Sequence, residues 1–293
     1  MPSRRAAVIA AAAAVTALVM LAALWTGSRI GSEPVPVAIW GGPAVTSGWP
    51  SPPATSAPAP ATSSPSSPAA TPPGTRPPVR PTQAGPPPGG GTGPGGSVKF
   101  TGSEAVALTF DDGPDPVNTP RLLDILKQHD VKATFCVVGF RARDHPDLVR
   151  RIAAEGHALC NHSWQHLFDL AQRGADYIRA DLQRTNDAIH NAVPGVPIRY
   201  FRAPGGNFTF PLAAIAHELG MHSIYWDIDT RDWESTKYGT GPAMVNHIIG
   251  VVNGQTRKGS IVLAHDNGKP DTIEAFRTLT PQLKGRFNLI VLP

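Results

Sequence analysis

The sequence is short of three things, and each shortage narrows what the chain can be. Clusters of lysine and arginine are missing: 26 basic residues against 22 acidic ones leave a formal net charge of +4, spread over 293 residues. Without a basic stripe there is no electrostatic footprint for nucleic acid, and that class of partner is set aside. A sequence pI near 9.3 favours nothing more specific than contact with an anionic wall or membrane surface. Cysteine is scarce, with Cys136 and Cys160 alone, which caps the chain at one internal disulfide. Large apolar residues are almost absent between Trp49 and Ser97, where Pro, Ser, Thr, Ala and Gly dominate. Such a segment cannot bury enough surface to offset the entropy of ordering, which excludes a folded core there.

What is present divides the chain into three parts. Residues 1–30 carry Arg4 and Arg5 and then an uncharged apolar run from Ala6 to Trp25. As a helix rising about 1.5 Å per residue, that run spans roughly 30 Å, the thickness of a bilayer core. It is read as a signal anchor, with a cleaved signal peptide as the alternative. The arginines ahead of it hold the N-terminus in the cytoplasm and send the rest outside. Residues 31–97 are expected to be a disordered, partly polyproline-like tether. Residues 98–293 have the size of one domain and must carry the chemistry. Export puts both cysteines in an oxidising compartment, where they form either a disulfide or two buried thiols.

Within 98–293, short apolar runs alternate with helical patterns, the signature of parallel βα units. Strands are expected near 105–110, 132–138, 158–161, 199–202, 222–226, 260–264 and 288–291. One helix is expected to be capped by Asn118 or Thr119 with Pro120 in its first position, and another to run from Pro146 to Gly156. Further helices are expected over about 175–192, 211–219, 242–252 and 272–283. Periodicity fits a closed barrel and an open doubly wound sheet equally. The polar clusters say more, because each falls just after a strand: Asp111 with Asp112, His162, Arg202, Asp229 with Asp232, and His265 with Asp266. In a parallel α/β fold the C-terminal strand ends share one edge, where active sites are built.

Taken singly, each cluster has an ordinary reading. The Asp111–Pro114 segment makes a turn, yet its two adjacent carboxylates repel, and a cation or arginine is needed to relieve them. His162 and His166 face the same way if they lie on a helical turn, and can then grip one metal. Two histidines with a carboxylate make a three-ligand catalytic set with open positions, a description that also fits a non-haem iron oxygenase. Arg202 before Pro204, Gly205 and Gly206 reads as an ion-paired residue entering a turn. Asp229 alone would pass as a surface acid, Trp233 as core, and His265 as a structural histidine.

In order, these segments resemble the five motifs of the polysaccharide deacetylases, carbohydrate esterase family 4, whose NodB-like domain is shared by the rhizobial chitooligosaccharide deacetylases. The resemblance runs from about residue 105 to 292. It implies an α/β fold, a distorted (β/α) barrel of about seven parallel strands, preceded here by the apolar helix and the linker. It also implies a divalent metal, zinc or cobalt most often, held by Asp112, His162 and His166, and hydrolysis of N- or O-acetyl groups on glycans. By the same resemblance Asp111 is the catalytic base, oriented by Arg202. Gly205 offers a backbone N–H to the oxyanion at a position where the family often carries tyrosine. Asp229 sets the charge of His265, the general acid, while Trp233 and Leu263 line the acetyl pocket. N-acetylglucosamine in peptidoglycan is the expected substrate, because an anchor and a tether keep a monomeric domain beside its own wall. Chitooligosaccharide and acetylxylan are the alternatives, and an inactive glycan-binding module is the reading from a different class.

Overall fold

The computed structural model describes residues 92–292. The expected anchor and all of the tether before residue 92 lie outside them. Among the described residues no helix is long and apolar enough to cross a membrane.

Among the described residues eight strands form one sheet: β1 Val106–Asp111, β2 Thr134–Val137, β3 Ala158–Asn161, β4 Ile198–Phe201, β5 His222–Ser223, β6 Ile228–Asp229, β7 Ile261–His265 and β8 Leu289–Ile290. Every strand pair is parallel. The connecting helices are α1 Asn118–Gln128, α2 Gly139–Asp144, α3 Pro146–Ala154, α4 Ala175–Ala192, α5 Phe210–Glu218, α6 Ser235–Tyr238, α7 Pro242–Gln255 and α8 Pro270–Lys284. All seven expected strands are present. The eighth, β6, is only two residues long and carries no periodicity of its own to read. α1 starts two residues earlier than Pro120 implied, because the Asp115 Oδ1 accepts the N–H groups of Val117 at 2.8 Å and Asn118 at 2.7 Å.

The strand order is β5-β4-β3-β2-β1-β7-β6, with β8 also beside β1. The chain therefore lays β2 to β5 on one side of β1 and β7 and β6 on the other. Loops leaving β1 and its neighbours diverge at that switch, and the gap between them is where ligands enter such sheets. No hydrogen bonds join β5 to β6, so the sheet is curled but not closed as a barrel. The segment before β1 spans the gap instead, with Val98 bridged to Ile224 and Phe100 to Ser260. Folded structure is already present ahead of residue 98. Residues 92–97 have the composition of the tether, yet Gly93–Ser97 form a turn closed by Gly93 N donating to Ser97 O at 2.9 Å, and Ser97 is buried. Their glycines and proline build a turn there, which composition alone does not distinguish from linker.

Strand alternation sorts the side chains into two faces. Val106, Leu108 and Phe110 join Phe135, Val137, Val262 and Ala264 in the core beneath the helices. Ala107, Cys136, Cys160 and Ile261 form a second cluster on the concave face. Thr109, Asp111 and His265 continue that concave face upward, with Asp111 and His265 directly in register across β1 and β7. Cys136 and Cys160 are also in register, and are joined as a disulfide across β2 and β3.

Candidate active site

The site is assembled at the C-terminal ends of β1, β3, β4 and β7, around a cleft of about 410 Å³. Asp111 is the last residue of β1 and only 2% exposed. An ionised carboxylate is tolerated at such depth when a charge faces it, and Arg202, wholly buried, donates from Nη1 to its Oδ1 at 2.7 Å. The same guanidinium donates to Thr109 Oγ1 at 2.8 Å and to the Tyr225 carbonyl at 2.9 Å. These contacts hold Arg202 rigid and leave Asp111 Oδ2 turned towards His162, 3.6 Å from its Nε2.

Asp112 follows in a left-handed backbone conformation, φ 75°, and its carboxylate, like that of Asp111, reaches His162 Nε2. Its Oδ1 lies 3.3 Å from His162 Nε2 and 3.2 Å from His166 Nε2. That oxygen is buried and has no hydrogen-bond partner among the described residues. One ligand atom from each of the three residues lies within 4.8 Å of the others. His162 Nδ1 is paired with the Arg202 carbonyl at 2.8 Å; a carbonyl only accepts, so Nδ1 carries the proton and Nε2 keeps its lone pair for the centre of the cluster. A buried carboxylate oxygen without a donor, facing two imidazole nitrogens, fits a divalent cation. Burial pushes the Asp112 pKa up, but His162, His265 and His166 outweigh it and hold the carboxyl well below its ordinary range. For His162, burial favours the neutral ring, while Asp111 and Asp112 reverse the shift upwards. His166 shifts down through burial and the neighbouring His162.

The two histidines do not share a helical turn as their spacing suggested. The chain leaves β3 as a loop that turns through left-handed Ser163 and His166, φ 63° and 57°, and brings the two rings to 4.8 Å. Side chains below fix this loop. Asn161 Oδ1 accepts from Ser163 N at 2.9 Å, Asp181 Oδ1 from Trp164 N at 2.8 Å, and Ser163 Oγ from His166 N at 3.1 Å.

His265, on the far side of the cleft, differs from expectation in its partner. Its Nδ1 is 2.7 Å from Asp232 Oδ1, while Asp232 Oδ2 accepts from His265 N at 2.9 Å and Thr272 Oγ1 at 2.7 Å. Asp229, expected to set the charge of His265, lines the cleft but accepts instead from Arg231 N at 2.9 Å. The reason is local: β6 ends at Asp229, and the turn through left-handed Arg231 carries Asp232 back under β7. Burial would drive the His265 proton off, but the Asp232 carboxylate prevails and raises its pKa to about 9. Burial raises the pKa of Asp229. Asp266 turns out of the site altogether. It is fully buried, accepts from Thr119 Oγ1, and lies under Gly113, where a Cβ would meet its oxygens at 2.5 Å. Burial lifts its pKa to about 7.

Gly205, Leu263 and Trp233 all line the cleft as expected. No backbone carbonyl among the described residues accepts from the Gly205 N–H. Ala203, Gly206 and Asn207 of the same turn also line the cleft, and so do Phe168 and Trp226, which no sequence motif contains. Trp226, half-buried just past β5, offered no periodic signal, and Phe168 lies two residues past the last histidine of a recognised motif.

A buried carboxylate–arginine pair, a carboxylate–histidine cluster and an aspartate-held histidine meet at the strand ends of a parallel α/β sheet, an arrangement suited to hydrolysis. The family model for polysaccharide deacetylase matches residues 99–224. A chitooligosaccharide deacetylase of Sinorhizobium fredii is 36% identical over 198 residues, covering 64% of this chain and 88% of the relative. The solved structure of a peptidoglycan N-acetylglucosamine deacetylase in complex with 4-naphthalen-1-yl-N-oxidanyl-benzamide superposes with a TM-score of 0.60 at 34% identity, over 65% of this chain and 87% of that one. A CE4 family pseudoenzyme from Bacillus anthracis gives a TM-score of 0.59 at 29% identity, over 66% of each chain. The chain belongs to the polysaccharide deacetylase family, carbohydrate esterase family 4.

Proposed function

We propose that the protein is a metal-dependent N-deacetylase that acts on N-acetylglucosamine units of peptidoglycan, as a monomer outside the cytoplasmic membrane. The observation that carries the chemistry is the partnerless Asp112 Oδ1 between two imidazole nitrogens, with a base and an acid on opposite sides of it. Asp112, His162 and His166 would hold the cation. When bound there, a divalent ion such as zinc or cobalt supplies Lewis acidity, which polarises an acetyl carbonyl and acidifies water.

The remaining steps belong to the chain. Asp111, pinned through Oδ1 by Arg202, accepts the proton of the attacking water on Oδ2. The Gly205 N–H donates to the carbonyl oxygen as negative charge builds on it, a contribution of roughly 2–4 kcal/mol for one preorganised donor in comparable acyl-transfer sites. His265, kept protonated by Asp232, donates from its other ring nitrogen to the amine as the C–N bond breaks. Acetate and the free amine leave. An amine is a far poorer leaving group than an alcohol, so a strongly held imidazolium favours the amide over the ester as substrate.

The choice of polymer rests on the apolar run and tether read from the N-terminal sequence, together with a relative named for peptidoglycan. Chitooligosaccharide is the second reading, favoured by the rhizobial relative. Acetate release by the full chain, loaded with zinc, distinguishes them: the proposal expects faster turnover on peptidoglycan glycan strands than on chitooligomers or acetylxylan. Turnover confined to chitooligomers would transfer the assignment. No acetate from any of the three, with metal bound, would make the protein an inactive glycan-binding module.

A further inference from the structure

Two successive glycines leave the turn after β4 bare on both sides, and aromatic rings fill both spaces. A Cβ on Gly205 would fall 2.7 Å from Phe168 Cδ1 and 2.8 Å from Cε1; one on Gly206 would fall 2.6 Å from ring carbons of Tyr225 and Trp226. Neither distance is compatible with a side chain and a ring together. Both glycines also adopt positive φ, 61° and 69°, which a bulky residue resists. Bare backbone at 205 is thus the condition for Phe168 to lie where it does.

Phe168 is 64% exposed and belongs to none of the buried apolar clusters, so packing does not account for it. It is nevertheless held. Its ring stands edge-on to His166, with centroids 5.1 Å apart at 80°, and its carbonyl accepts from Asn207 Nδ2 at 2.9 Å. That hydrogen bond ties the loop after β3 to the turn after β4 as one rim of the catalytic cleft. A fixed, solvent-facing phenyl ring at the mouth of a cleft has one evident use. Pyranose rings with equatorial substituents present C–H groups on their flat faces, and an aromatic ring is the side chain that covers such a face without needing a hydrogen bond.

The geometry points to Phe168 as a sugar-stacking platform of the deacetylase groove, its ring taking the apolar face of a pyranose in the space that a side chain at position 205 would otherwise occupy. The inference rests on the glycan reading above. Phe168 then sets the shape of this side of the groove and the affinity for the chain, and leaves bond breaking to the residues below it.

The test uses the full chain loaded with zinc and tetra-N-acetylchitotetraose as substrate, with acetate release read as KM and kcat separately. F168A is expected to raise KM about tenfold, the usual cost of truncating an aromatic anchor, with kcat within about threefold of wild type. F168W keeps a flat ring and is expected to keep KM within about threefold. In a D111N background, saturation-transfer NMR should show strong transfer to the alternate ring protons on one sugar face, and F168A should remove that bias. An unchanged KM and NMR pattern in F168A would overturn the platform while leaving the deacetylase reading intact. A fall in kcat with loss of bound zinc would also overturn it, assigning Phe168 to the support of His166. Wild-type protein that releases no acetate from the tetramer or from peptidoglycan would remove the glycan reading, and the platform with it.

Discussion

The substitution Asp232→Asn examines the acid side of the site with little change of shape. In the native site, Oδ1 faces His265 Nδ1, while Oδ2 accepts from both His265 N and Thr272 Oγ1. An asparagine must place its carbonyl oxygen where Oδ2 stood, since both donors there need an acceptor. Its NH2 group then faces His265 Nδ1. Two donors cannot share that contact, so the imidazolium is disfavoured, and burial, no longer opposed by a carboxylate, also favours the neutral ring. A pKa of about 9 keeps roughly 99% of His265 charged at pH 7; below 6.5 the charged share is under about a quarter, by the titration relation behind pKa. Loss of the charged acid should lower kcat by about 10²- to 10⁴-fold. The sign of the pH effect follows. The acid works only when protonated, so activity is lost as pH rises through the His265 pKa, and in D232N this alkaline limb moves to lower pH. A bound cation displaces the limb downwards in both proteins and preserves the difference. The assay is kcat/KM for acetate release between pH 5 and 10, with D229N alongside. Near-native turnover and an unmoved limb in D232N, with both lost in D229N, would refute the geometry and restore Asp229 as the partner.

Asp111→Asn should retain stoichiometric zinc yet lose at least about 100-fold in turnover, read by metal analysis and acetate release on one preparation. His162→Ala removes a buried member of the proposed ligand set and should fail to retain zinc before any other property changes; calorimetric titration with undiminished zinc affinity would exclude it from that set. Replacing Cys136 and Cys160 by serine opens a loop with a sequence separation of 24. That change should cost about 3 kcal/mol of unfolding free energy in denaturant titrations, and the zinc site should be unaffected in the folded protein.

Much of the site was legible because its residues follow strands. Asp111, His162, Arg202 and His265 each end or directly follow a recognisable apolar run, and in a parallel sheet this alone puts them on one edge. The disulfide was legible only as an alternative, since strand register, which sets Cys136 opposite Cys160, depends on pairings no single strand encodes. The partner of His265 was misassigned for a related reason. Asp229 and Asp232 are three residues apart, and a single left-handed residue, Arg231, decides which of them reaches back under β7. The histidine loop was misjudged in the same way: spacing of four suggests helix, but Ser163 and His166 adopt left-handed backbone under the hold of Asn161 and Asp181, residues remote from the motif or outside any simple pattern. Phe168 was invisible because its significance lies in what Gly205 lacks.

The central claim is that Asp112, His162 and His166 hold a cation on which deacetylation depends. Its most direct test is acetate release from peptidoglycan glycan strands by the full chain, first stripped with a chelator and then titrated with zinc. The account predicts negligible release from the stripped protein and recovery that saturates at one zinc per chain, with no recovery in H162A. Turnover that survives complete metal removal, or zinc recovery that persists in H162A, would contradict it.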